Sequence, residues 1–173
     1  IAGTIGLAAL GSVAAPLALK RQRPSAHPLE LAVASGVGKD LAGGAWSSET
    51  PSSKRWFHRK GFGPLHRLGV ASLHVHPFIV EAASGRGQWR SATVAYSSLL
   101  AAAALVEAAP HEKRRSVAGG LYTIWLASSM VVAPPPSGYA WMPSLLGFNV
   151  LLGQGTPRGP LSALRRRPRR LLG

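Results

Sequence analysis

Residues Ala92 to Ala109, ATVAYSSLLAAAALVEAA, and Ser116 to Ala133, SVAGGLYTIWLASSMVVA, decide the fold. Each lies near the lower end of the ~17–25 apolar residues that cross ~30 Å of hydrocarbon. Glu107 is the sole charged residue in the first stretch, one turn from its end, where its carboxylate can reach the interface. The connection Pro110-His111-Glu112-Lys113-Arg114-Arg115 is short and polar, which predicts a turn between two helices. Helices of a soluble bundle normally carry a polar stripe, and these do not. The pair therefore reads as a membrane helical hairpin. Its Ala, Gly and Ser content suits close helix packing and leaves shallow surfaces for flat ligands or neighbouring helices.

Working towards the N-terminus, Phe62 to Ala83, FGPLHRLGVASLHVHPFIVEAA, supplies a third span. Arg67 and Glu81 would stand about 21 Å apart along one helix, so each can approach its own interface. His74 and His76 are left near mid-membrane, where ionisable groups are costly and face a protein partner or a cofactor. On a continuous helix, residues two apart point about 200° apart, so both could not serve one site. Pro77 disturbs the helix beside His76. Ile1 to Leu19 resembles a signal-type apolar region or a remnant of organelle targeting, and residues 20–55 read as a mostly irregular extramembrane segment.

Beyond Ala133, Pro134-Pro135-Pro136-Ser137-Gly138 stops the helix. Tyr139 to Leu152, with Pro143 inside, is short for a span and reads as a short fourth or re-entrant segment, with Tyr139 and Trp141 at headgroup level. Arg158 to Gly173 forms a basic tail suited to acidic protein, lipid headgroups or RNA. The sequence thus predicts an all-α membrane protein. An irregular N-terminal arm (1–61) precedes a region of three transmembrane helices (62–133), and a Pro-rich break, an interfacial segment and the basic tail follow (134–173).

Composition agrees. The 173 residues carry 20 Lys+Arg against 6 Asp+Glu, a formal charge of +14, yet 46% are hydrophobic and only 15% charged, well below the rough quarter of a soluble domain. The apolar fraction excludes a disordered chain, and the absence of Cys excludes disulfides, Cys-based zinc sites and Cys nucleophiles. From Ser116 to Pro157 there is no Asp, Glu, Lys, Arg or His. That stretch argues against a basic organellar ribosomal protein, which the net charge would otherwise invite, so no nucleic-acid partner is expected. No Gly-rich phosphate loop, HExxH or Gly-x-Ser-x-Gly occurs, and His74-Val75-His76 lacks a third metal ligand nearby. Enzyme activity is not expected.

One motif narrows the reading. Arg59-Lys60-Gly61-Phe62-Gly63-Pro64-Leu65-His66-Arg67 has the pattern RKGxxPxxR immediately before a His-containing span. It resembles the photosystem I subunit XI (PsaL) family, in a divergent algal form, where RKGxxPxxRGLE leads into the first of three transmembrane helices and an Ala-His-Gly follows. Trp56-Phe57-His58 stands where that family has an aromatic-containing approach, and Leu73-His74 stands near its Ala-His. The likeness covers Trp56 to Val80 at the level of the motif and extends to Ala133 at the level of spans. It departs at Leu68-Gly69-Val70, where the family has Gly-Leu-Glu with a chlorophyll-ligating carboxylate, and one residue is missing between Arg and His.

The resemblance implies a small thylakoid subunit of the plastid that binds chlorophyll a and carotenoid. It would pack against the large photosystem I core subunits, neighbouring small subunits, the light-harvesting antenna and membrane lipids. His74 would be the axial ligand to a chlorophyll magnesium, with His76 the fallback because the gap shifts the register. A neutral imidazole nitrogen can fill that axial position. The alternative is a pigment-free accessory subunit of a respiratory or ATP synthase complex in the mitochondrial inner membrane, with the histidines merely hydrogen-bonded to neighbouring helices.

Overall fold

A computed structural model describes residues 2–156, which are helical without any strand. The arginine-rich tail lies outside the described residues. Helix α1 spans Ala2–Gln22 and α2 spans Pro28–Ser48. Together they form an antiparallel hairpin that the sequence reading, with residues 20–55 irregular, did not contain.

Local chemistry explains α2. Pro28 pre-sets the first turn, the His27 side chain accepts the Leu29 N–H, and Glu30 reaches back to the His27 N–H, a reciprocal cap. Glu30 is itself buried and held by Arg23 at 2.8 Å. The glycines that suggest a loop are instead points of close contact. A Cβ on Gly38 would stand 2.3 Å from the Gly11 carbonyl oxygen, and the Ser35 hydroxyl donates to Ser12 O at 2.8 Å. Small residues at such a crossing let the two backbones approach.

Helices α3 (Pro51–Phe57), α4 (Pro64–Ser72) and α5 (His76–Ser84) follow. The expected span over residues 62–83 is therefore two short helices broken at Leu73-His74-Val75. Pro77 is the cause, since its ring excludes the carbonyl four residues back and it has no N–H to continue the ladder. Both Arg67 and Glu81 are buried within the protein.

Helices α6 (Trp89–Ala108) and α7 (Arg114–Val131) form the hairpin that the sequence predicts. Trp125 fastens it, its indole donating to Ala95 O and Ser98 Oγ at 3.3 and 3.1 Å. Among the described residues two helices, α1 and α6, are long and apolar enough to cross a membrane.

Helix α8 (Met142–Gly147) runs directly into a π-helical stretch, Phe148–Gln154. Its apolar side chains pack into the protein: Leu146, Val150 and Leu151 belong to the core, and Tyr139 is fully buried with its hydroxyl donating to Glu30 O. Glycines make this burial feasible. A Cβ on Gly147 would meet the Trp125 ring at 2.7 Å, one on Gly153 the Ser48 side chain at 2.1 Å, and one on Gly155 Val106 at 3.0 Å. Gly138, at φ +89°, turns the chain into this segment directly over Leu19.

Candidate functional site

The break between α4 and α5 brings His74 and His76 to one place. Both are buried, with ring centroids 5.7 Å apart. The continuous-helix argument that separated them by about 200° does not apply, because residues 73–75 leave the helix. His74 Nδ1 lies 3.1 Å from Val70 O, which assigns the proton to Nδ1. Its Nε2 then accepts from the Asn149 and Gln154 side-chain amides, both long at 3.4 Å. His76 Nε2 lies 2.9 Å from Asp40 Oδ2 on α2, while its Nδ1 is buried without a hydrogen-bond partner among the described residues.

The π-helix is what lets Asn149 and Gln154 act together. Five residues apart on an α-helix they would diverge by about 140°. The i→i+5 ladder, seen in the Gly155 N–H to Val150 O bond of 3.1 Å, closes a turn in nearly that spacing and stacks them on one face. Gly44 makes room opposite, since a Cβ there would stand 2.6 Å from Asn149 Nδ2.

This geometry bears on the implied chlorophyll. Axial ligation needs an imidazole lone pair facing a space wide enough for a macrocycle. In His74 that lone pair faces two amides of the chain's own core, and in His76 Nε2 pairs with Asp40 while Nδ1 is buried without a hydrogen-bond partner among the described residues. As folded, His74 and His76 cross-link α2, the α4–α5 break and the π-helix. Among the described residues no group of three or more His, Asp or Glu could hold a metal ion.

The RKG segment is held just as firmly. Gly61 turns at φ +85°, Pro64 opens α4, and the Arg59 guanidinium lies 4.7 Å over the Trp56 ring and 5.1 Å over Phe62. Arg67 makes two 2.7 Å bonds to Glu107, and its remaining nitrogen donates to Phe57 O and Phe62 O. Glu107 is therefore buried between Arg67 and Arg114, the latter 3.5 Å away.

Lys54 closes the bottom of the bundle. Its ammonium donates to the carbonyls of Leu152, Gly153 and Thr156 and pairs with Glu49 at 3.0 Å. Burial holds its pKa below the ordinary lysine value, against the pull of Glu49. Nearby, burial and then the charges of Arg67 and Lys54 push the His58 imidazole down to about 4.

Sequence reasoning found His74, His76, Arg67 and Glu107, and Lys54 as one of a basic segment running to Arg67, but missed Asp40, Glu49, Asn149 and Gln154. A signal for two of these was present: Asn149 and Gln154 are the only side-chain amides in the uncharged stretch from Ser116 to Pro157. No protein-family model, curated protein or solved structure matches the chain.

Proposed function

We propose that the chain is a small helical subunit embedded in a larger membrane assembly, where it has a structural and not a catalytic role. The carrying observation is the outward face of α1, a helix of spanning length on which Ile5, Leu10, Val13 and Leu17 are all more than half exposed. Ile124 and Val131 on α7, and Val132 just past its end, are likewise exposed. Apolar rows of this extent call for lipid or for a partner's helices. Resistance to extraction from native membranes by alkaline carbonate tests the reading, and recovery in the soluble fraction would overturn it.

The assembly that the RKGFGPLHR segment indicates is photosystem I, with the chain as a subunit XI-like member in the thylakoid membrane beside the core subunits and antenna. A second reading, a pigment-free accessory subunit of a mitochondrial inner-membrane complex, is favoured by the inward-facing imidazole of His74. Absorbance and pigment extraction of the native complex that co-purifies with the chain separate the two. Chlorophyll a and carotenoid in that complex support photosystem I; a colourless or haem-only complex removes it.

A further inference from the structure

Helices α1 and α2 are matched at their centres. Ser12 is the middle residue of α1 and Gly38 the middle residue of α2; Gly38 packs against Gly11, and the Ser35 hydroxyl donates to Ser12 O. Lys39 and Asp40 therefore lie within about 3 Å of mid-depth in the hairpin, at 1.5 Å of rise per residue. Both are exposed, the Asp40 side chain to 67%. Asp40 Oδ2 holds His76, but Lys39 makes no hydrogen bond or ion pair among the described residues. Adjacent helical positions do not face each other, so the two charges do not neutralise one another. A short carboxylate at that depth cannot extend to a headgroup, and charged groups inside a membrane are costly unless they pair. This face of α2 needs a partner that offers both signs.

The arrangement of the charges selects that partner. At 100° per residue Gly36 lies between them, about 60° from Lys39 and about 40° from Asp40. Lys39 thus stands on one edge of the exposed face and Asp40 on the other. Ala32 and Gly36, both exposed, form the strip between, and a Cβ on Gly36 would meet nothing in its own chain. A two-fold axis parallel to α2 sets each edge of this face against the opposite edge of a copy, at nearly the same height. We propose that a second copy of this chain docks on α2 as a parallel, two-fold symmetric pair, Lys39 of each copy against Asp40 of the other. The small Ala32 and Gly36 let the two helices approach. Such a self-complementary contact closes both charge pairs at once and leaves neither group to the lipid. The proposal rests on the membrane reading above and on neither choice of assembly.

The chain has no Cys, so Gly36→Cys gives it a single thiol on this face. The full-length variant is reconstituted in phosphatidylcholine vesicles at high lipid excess, washed with alkaline carbonate so that only inserted chain remains, and treated with copper phenanthroline. A disulfide-linked dimer is expected, whereas Ile124→Cys, 66% exposed on α7, stays monomeric. In the Gly36→Cys background, Lys39→Asp sets carboxylate against carboxylate and Asp40→Lys sets ammonium against ammonium. Each alone is expected to lower the dimer yield about tenfold, and mixing the two variants, which restores both opposite-sign pairs, should return it. Helicity shows whether each variant folds. Asp40→Lys also gives up His76, so should it not fold, Ala32→Trp, which props the helices apart, must give the same loss as Lys39→Asp. In chain that stays inserted, a yield no higher than that of Ile124→Cys, an undiminished yield in Lys39→Asp, or no recovery on mixing would overturn the proposal and leave the membrane reading standing. Chain lost to the carbonate wash would overturn that reading and the proposal with it.

Discussion

Arg67 and Glu107, forty residues apart in sequence, form a bidentate pair in which both nitrogen–oxygen distances are 2.7 Å and both side chains are almost fully buried. The last residue of the RKGxxPxxR pattern thus reaches across to the far end of α6. In doing so it also satisfies Phe57 O and Phe62 O, which fixes the turn carrying the rest of the motif.

Removing one member of such a pair leaves the other charge buried. Arg67→Met is expected to cost about 3–5 kcal/mol of stability. The double variant Arg67→Met/Glu107→Leu should recover much of this, because two apolar side chains replace two desolvated ions. Denaturant titration of the helical signal in detergent reads both values. A single-variant cost under about 1 kcal/mol would mean that water reaches the pair.

Lys54→Met strands Glu49 and removes the donor shared by Leu152, Gly153 and Thr156. The π-helix then loses its anchor on α3. A cost again of about 3–5 kcal/mol is expected, together with faster amide exchange confined at first to residues 148–154. Uniform acceleration over the whole chain would contradict a local anchoring role.

His58 gives the fold a pH dependence. Its ordinary value is 6.5 in the unfolded chain and about 4 in the folded one, lowered first by burial and then by Arg67 and Lys54. The folded chain therefore binds fewer protons between these values. The stability that His58 contributes is fully present above pH 6.5 and declines as the pH falls towards 4. The thermal midpoint should drop between pH 7 and pH 5, where ordinary carboxylates remain mostly ionised, and His58→Gln should lessen that drop. An identical slope in the variant would place the titration elsewhere.

Part of this architecture was legible and part was not, for definable reasons. The α6–α7 hairpin could be read because its apolar runs are bounded by Pro110 and the basic turn. The break at His74 could be suspected from Pro77, but its consequence could not: two imidazoles on one site follow only from the path of residues 73–75. Helix α2 was hidden because Lys39, Asp40 and its glycines look like loop chemistry in isolation, and only the facing Gly11 and the reaching His76 give them a role. The burial of residues 142–154 was hidden by length. A segment too short to span gives no sign in its sequence that glycines at 147, 153 and 155 pack against Trp125, Ser48 and Val106.

The α1–α2 contact separates glycines that pack from glycines that do not. At Gly38 an added methyl would stand 2.3 Å from Gly11 O and 2.6 Å from the Ala15 Cβ, so Gly38→Ala must push the helices apart. Overpacking of this kind costs roughly 1–3 kcal/mol. Gly36, two residues earlier on the same helix, has nothing within 4 Å of its added Cβ. There the same change removes only unfolded-chain entropy and helix frailty, so Gly36→Ala should stabilise by about 0.5–1 kcal/mol. Opposite signs from two alanines on one helix, read as thermal midpoints in the same detergent, are expected only if α1 lies against the Gly38 face. Equal signs would detach α1 from α2.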